Sequence, residues 1–226
     1  MDSVTFHLEE AVAFAAALLP FASPEHPRIA LSGVLLGQWP TGRLVAAATD
    51  GESAAVYEPS SPVAIEGPFQ HPEPGVWLPR PAVRWLASYK LPTRPRRKKT
   101  DAELELYTLW VGAQPGSTAL QVFRSDSVEP VAQAIFPADL RGTTFPSLIE
   151  LAQVFHVQTR PVAAQVDPVK LEAVGRWARQ HRRTLNGRTP NHAGVHILPR
   201  VGTGVVLQVA ELSVALPSRS SEEPIR

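Results

Sequence analysis

Residues 33–56 read GVLLGQWPTGRLVAAATDGESAAV, and the rest of the chain is organised around them. Two apolar, strand-like runs meet across the turn Trp39-Pro40-Thr41-Gly42, and the second stops at Thr49-Asp50-Gly51. Asp-Gly marks a tight turn, because glycine takes positive φ without steric cost and Asp tolerates it. A third apolar run, residues 54–57, follows. Strand, turn, strand, Asp-Gly turn, strand is the pattern of an antiparallel meander.

Working outward, the same theme recurs. An alternating strand at 4–8 leads into a helix at 9–19, with Glu9 and Glu10 in its first turn where the helix dipole favours acid. After the meander and a short strand at 63–65, a strand at 75–78 leads into a helix at 79–89 with proline in its first turn. Strands at 103–111, 119–124 and 131–135 come next, then a helical turn opened by Phe145-Pro146-Ser147-Leu148. A third passage places a strand at 161–166 and a helix at 168–183 capped by Asp167. Its strands fall at 195–198, 205–209 and 212–216. Strand, helix and about three antiparallel strands thus occur three times, a repeat of structure without obvious repeat of sequence. Antiparallel sheet with helices on one face is an α+β fold. We divide the chain into 1–155, made of halves 1–70 and 71–155, then a third unit at 156–219 and a polar tail at 220–226.

Composition narrows the function. The chain has 226 residues, 44% of them hydrophobic, enough for a substantial core. The net charge of +1 gives no bulk signal for nucleic acid or membrane, so any charge argument is local. There are no cysteines, which removes disulfides, thiolate zinc sites and cysteine nucleophiles. No apolar run approaches the roughly 20 residues that span a bilayer. Asp2, Glu9 and Glu10 flank the first apolar stretch, which does not read as a signal peptide. The expectation is a soluble, cytoplasmic protein. No GxSxG, P-loop or dinucleotide fingerprint is present.

Basic side chains cluster on two of the expected helices. Arg176, Arg179 and Arg183 fall at i, i+3 and i+7, on one face, with Leu171, Val174 and Ala178 on the opposite face. Arg80 and Arg84 lead toward a basic loop containing Arg94, Arg96, Arg97, Lys98 and Lys99. Such faces suit sequence-independent contact with a phosphate backbone, or are solvated surface. The first helix has no basic residue. His192 and His196 are four apart, but the interval contains Gly194 and reads as a turn, so no metal or other cofactor is expected. Asp50 reads as a turn residue.

These motifs, in this order, carry a family resemblance. Gly33-Val34-Leu35-Leu36, then Leu44 and Ala48-Thr49-Asp50-Gly51 with Ala55, resemble the bacterial DNA sliding clamp, the beta subunit of DNA polymerase III. The clamp reads N-G-[VM]-L-[LF], then L-x-x-x-A-T-D-G-H-R-L-A. Its His-Arg is Glu52-Ser53 here. Residues 76–91 are similar to the clamp's strand followed by V-P-R-K-x-V-x-E-L, and Phe145 to Leu148 to its F-P-D-Y. Residues 214–219, VALPSR, resemble its terminal V-M-P-M-R. The resemblance covers one whole clamp domain and half of another, with DNA-clamp-like repeats.

The resemblance implies a non-catalytic processivity factor of DNA replication or repair. It would bind duplex DNA through Arg80, Arg84, Arg176, Arg179 and Arg183, and leaves room for a homo-oligomer. It also implies a pocket for short linear peptides of a polymerase or repair protein. That pocket would take Thr49, Gly51, Glu52, Ser53 and Ala54, Pro79 and Val83, and Leu216, Pro217 and Arg219, with Val83 and Leu216 as walls. Glu52-Ser53 and the lack of methionine beyond Met1 alter the peptide preference. Two rivals stand beside this reading: a clamp-fold interaction module that does not load on DNA, and an enzyme on an unrelated α+β fold.

Overall fold

The computed structural model describes residues 3–24, 27–39, 42–59, 64–66, 75–90, 107–140, 142–148, 150–151, 155, 167–181, 196–199, 205–209 and 212–216. The first unit holds β1 (Ser3–His7), α1 (Leu8–Leu18), β2 (Gly33–Gln38), β3 (Leu44–Thr49) and β4 (Ala54–Tyr57), followed by β5 (Ala64–Glu66). The second holds β6 (Val76–Pro79), α2 (Arg80–Ala87), β7 (Tyr107–Gln114), β8 (Ser117–Arg124) and β9 (Pro130–Pro137). The third holds α3 (Pro168–His181), β10 (His196–Pro199), β11 (Val205–Val209) and β12 (Leu212–Leu216). The expected strand at 161–166 and the polar tail lie outside the described residues, as do residues 103–106 of the strand expected at 103–111.

The fold is α+β. Every described strand pairing is antiparallel, in two sheets ordered β5-β1-β7-β8-β9 and β10-β11-β12-β4-β3-β2-β6. The first two units exchange strands. β1 lies on β7 of the second unit, with Val4 opposite Val111, and β6 lies on β2 of the first, with Val34 opposite Leu78. The third unit joins through β12, which pairs with β4 so that Ala215 faces Ala54.

One core gathers the helices and the inner faces of both sheets. Phe6, Phe14, Tyr57, Leu78, Val83, Leu86, Leu109, Leu120, Trp177 and Val214 all belong to it. A smaller cluster covers the other face of the long sheet. There Val45, Ala47, Ala54 and Val56 meet Leu151, with Trp39, Phe145, Leu148 and Phe155 against them. Coverage on both faces is why the first meander reads as near-continuous apolar runs rather than as alternation. No helix among the described residues is long and apolar enough to cross a membrane.

The short strand expected at 63–65 forms as β5 and pairs with β1. One expectation is corrected. Leu171 does not belong to the inner stripe of α3, whereas Val174 does. Val174 and Trp177 are buried, while Leu171 is 38% exposed and the Ala178 side chain is not described. The indole decides the rotation: it is too large to leave in water, and its Nε1 donates to the Ala13 carbonyl at 3.0 Å. Lys170 shares this stripe. Its apolar stem can lie inward while its ammonium reaches polar partners.

Candidate functional site

The turn after β3 is built from its own side chains. Thr49 Oγ1 donates to the Ser53 carbonyl at 2.7 Å and accepts the Gly51 N–H at 3.1 Å. Asp50 Oδ1 accepts the N–H groups of Glu52 at 3.1 Å and Ser53 at 2.7 Å. Gly51 sits at φ +92°, a conformation that disfavours a side chain. The Thr-Asp-Gly sequence is therefore the sequence this turn needs. Thr49, Ser53 and Ala54 are buried, while Gly51 and Glu52 are exposed.

The turn is also where the third unit attaches. Lys170 Nζ, in the first turn of α3, donates to Asp50 Oδ2 at 2.7 Å and to the Pro20 carbonyl at 2.9 Å. It lies 4.9 Å from the centroid of the Phe21 ring, within cation–π range. Burial pushes the Asp50 carboxyl up. The hydrogen bond and charge of Lys170, with the N–H groups of Ser53 and Glu52, outweigh burial and hold it below the usual carboxylate range. Sequence reasoning did not find Lys170 or Trp177. The available signal was their spacing with Val174, at i, i+4 and i+7, on one helix face.

Register places the pocket residues. Leu216 is one residue beyond the Ala215–Ala54 pair, so the end of β12 runs beside the turn. Continuing the Leu35–Ala47 register by two residues sets Gly33 level with Thr49, and Gly33 faces Pro79. Pro79, Gly33, Thr49, Ala54 and Ala215 thus form one row across an end of the long sheet. The row is four strand spacings wide, about 19 Å. Gly33 has its own reason to be glycine: an added Cβ would stand 2.3 Å from the Leu78 carbonyl. Val83 offers no open wall, because it is fully buried in the helix-side core. Ala54 packs in the cluster on the opposite face. Pro217 and Arg219 lie outside the described residues, as does the side chain of Leu216.

The basic residues are less uniform than their spacing suggests. Arg84 and Arg176 are exposed, and Arg176 donates to Glu172 at 2.7 Å. Arg80 is half-buried, and one of its terminal nitrogens donates to the Leu19 carbonyl at 3.0 Å. Its Nε is buried without a partner among the described residues. Burial, then the positive charge of Arg84, lowers the Arg80 pKa. Both arginines line a cleft of about 540 Å³ with Trp77, Pro79, Pro137 and Asp139. The Arg179 side chain, Arg183 and the basic loop at 91–100 lie outside what is described. α1 packs against both α2 and α3; its Glu9 is exposed, while Val12 and Ala16 are half-buried against the core. Among the described residues no group of three or more His, Cys, Asp or Glu could hold a metal ion.

No protein-family profile matches the chain, and no curated protein sequence matches it. Solved structures do. The chain is similar to a DNA polymerase sliding clamp from Pseudomonas aeruginosa, at 14% identity and a TM-score of 0.56 over 99% of this chain and 66% of that one. The sliding clamp from Bacillus subtilis matches at 14% identity and a TM-score of 0.54, over 99% and 66%. DNA polymerase III subunit beta from Borrelia burgdorferi, solved with a natural product, matches at 7% identity and 0.54, over 97% and 64%. The likeness is one of fold, and the chain spans about two thirds of each clamp.

Proposed function

We propose that the chain is a reduced, non-catalytic sliding-clamp-like protein that holds partner proteins at duplex DNA. The observation that carries this reading is the pairing of β12 with β4, which sets the end of the last strand beside the Thr49–Ser53 turn. Residues distant in sequence thereby share one end of a sheet in a clamp-like fold. An extended peptide of about six residues would match the row's 19 Å at roughly 3.3 Å per residue. Backbone hydrogen bonds and one or two apolar anchors would hold it, with modest affinity because ordering a peptide offsets much of the contact energy. Glu52, exposed at the turn, disfavours acidic peptides. In this reading residues 1–155 are one clamp-like domain of two half-repeats, and 156–219 a third half-repeat. The setting is replication or repair in the cytoplasm.

DNA contact would use Arg84 and Arg176 at the exposed faces of α2 and α3, and Arg80, Arg179 and Arg183 are the further candidates that the sequence names. Such contact is independent of base sequence. Fluorescence anisotropy with a labelled duplex tests it. Binding should be weak and fall steeply with salt. Arg84→Ala and Arg176→Ala should each lower the log–log salt slope by about 0.9 if each removes one phosphate contact. Titration of clamp-binding peptides against wild type and Leu216→Asp tests the pocket, and equal binding removes it from the account.

A second reading is favoured by one observation. α1, which packs against both α2 and α3, exposes Glu9 and has no basic residue. A protein that binds peptides but shows no duplex binding at low salt would be an interaction module on this fold.

A further inference from the structure

The cleft beside α2 is held in shape by a chain of hydrogen bonds. Its sides come from the short helical turn Ile29–Ser32, the end of β6, the start of α2 and the stretch after β9. Trp77 Nε1 donates to the Ala30 carbonyl at 3.1 Å, and the Ala30 N–H donates to Thr143 Oγ1 at 3.1 Å. Thr143 Oγ1 in turn donates to the Leu140 carbonyl at 2.6 Å. Pro24, Pro79, Pro81 and Pro137 complete the wall. Proline has no rotamer freedom to lose, so little ordering is left for a ligand to impose.

The indole of Trp77 is the flat part of this wall. It lies against the backbone of Gly33, where an added Cβ would stand 2.6 Å from its Nε1 and 2.7 Å from its Cε2. The Trp77 carbonyl accepts the Thr118 hydroxyl at 2.8 Å, so main chain and ring are both fixed. The ring is half-buried and lines the cleft. An aromatic ring held in this way is a platform for another flat ring.

Arg80 and Arg84 line the same space, one helical turn apart on α2. The bond from Arg80 to the Leu19 carbonyl fixes its guanidinium and uses one of five N–H donors. Burial, and then the charge of Arg84, disfavours the Arg80 cation, and an anion between the two would offset their repulsion. Asp139 is the only acid among the described lining residues, which leaves the cleft net positive. The planar fork of arginine matches a phosphate with two parallel hydrogen bonds.

We propose that this cleft binds a nucleoside phosphate, with the base stacked on Trp77 and the phosphate held by Arg80 and Arg84. Its volume of about 540 Å³ falls in the range of small-ligand sites, about 300–1,000 Å³. Stacking on an aromatic side chain accepts any base, since every base has a π-face. The bases of a duplex are already stacked on one another and cannot enter. The site is therefore separate from the duplex contact proposed above, and the inference does not depend on that reading. A free nucleotide and the unpaired, 5′-phosphorylated end of a strand offer the same chemistry.

Isothermal titration of the full chain with adenosine 5′-monophosphate tests it, with adenosine and inorganic phosphate as controls. The monophosphate should bind at least about tenfold more tightly than either, because each control meets only half of the site. Arg84→Ala, at an exposed position, should weaken the monophosphate about tenfold and leave adenosine unchanged. Trp77→Leu should weaken both; where that variant does not fold, the Arg84 variant decides. Arg176→Ala, which should lower the duplex salt slope, should leave nucleotide affinity unchanged. Competition by a 5′-phosphorylated oligothymidylate, but not by its unphosphorylated form, assigns the site to a strand end. Competition by neither assigns it to the free nucleotide. No binding of the monophosphate at millimolar concentration overturns the proposal. Affinity no better than that of adenosine or of phosphate, or no effect of Arg84→Ala, overturns it as well.

Discussion

The first and second meanders share a topology and differ in almost everything that touches them. In β2 and β3 five of six residues are buried, and in β4 all four are. In β9 every second residue is exposed, including Val131 at 54% and Ile135 at 68%. The first meander has β6 on one flank and β12 on the other, with helices on one face and Phe145, Leu148, Leu151 and Phe155 on the other. The second has β1 on one flank and no described strand beyond β9. The repeat thus determines how the strands connect, while the segments added around each repeat determine its surface. The third unit's contribution here is cover for the first meander and its Thr-Asp-Gly turn.

The contrast breaks most severely at Trp177. Its indole is 4% exposed, stands edge-on to Tyr57 at 6.2 Å between centroids, and donates to the Ala13 carbonyl. Trp177→Ala should cost about 3–5 kcal/mol, the range for emptying a large aromatic site. Urea unfolding reads the loss. Hydrogen exchange should show β4 losing protection while β7 and β8 keep theirs. Uniform loss would mean that the cover and the meander cannot be separated.

Next is the cover on the outer face. Leu151 is 4% exposed against Val45, Ala47, Ala54 and Val56. Leu151→Ala should cost about 2–3 kcal/mol, toward the low end for a buried leucine because the neighbouring side chains can close over part of the space. A loss below about 0.5 kcal/mol, the range of surface substitutions, would show that this face is open in solution.

A smaller effect is expected at the link between the turn and α3. Asp50→Asn leaves Lys170 half-buried without its carboxylate, which should cost about 1–3 kcal/mol. The pH dependence has a definite sign. The Asp50 pKa is lowered on folding, so its contribution is full above the ordinary carboxylate range and lost as pH falls through the lowered value. The stability difference between wild type and variant should therefore be constant above about pH 5 and shrink below about pH 4. A difference that grows on acidification would show that the link does not govern Asp50.

Local chemistry made much of this legible. The Asp-Gly pair announced a positive-φ turn, Asp167 announced the start of α3, and its Oδ1 accepts the Val169 N–H at 2.8 Å. The meanders were visible because turn residues and apolar runs follow short-range rules. What could not be read was which units exchange strands, because β1 reaches β7 across about a hundred residues with no local signal. Lys170 was hidden for a related reason. A charged residue reads as surface until Asp50, Pro20 and Phe21 are placed around it. The basic positions were legible as residues but not as a site. The Arg80 bond to the Leu19 carbonyl depends on how α2 meets α1.

The smallest expected effect lies on β9. Ile135 faces Ala119 across the ladder and is 68% exposed, so replacing it removes little surface from contact. Ile135→Ser should change the unfolding free energy by no more than about 0.5 kcal/mol, the usual range for open surface positions. The same kind of change at Val45, on the covered face of the first meander, would remove a fully buried side chain and leave a hydroxyl in an apolar cluster. Val45→Ser should therefore cost several times more, about 2–4 kcal/mol from lost burial and an unmet hydrogen bond. The pair measures the comparison directly, since both positions lie in antiparallel meanders of the same topology. Equal losses would mean that β9 is covered in solution, by a segment of this chain or by another molecule. Repeating the Ile135→Ser measurement across protein concentrations separates those two causes, because only cover by another copy weakens on dilution.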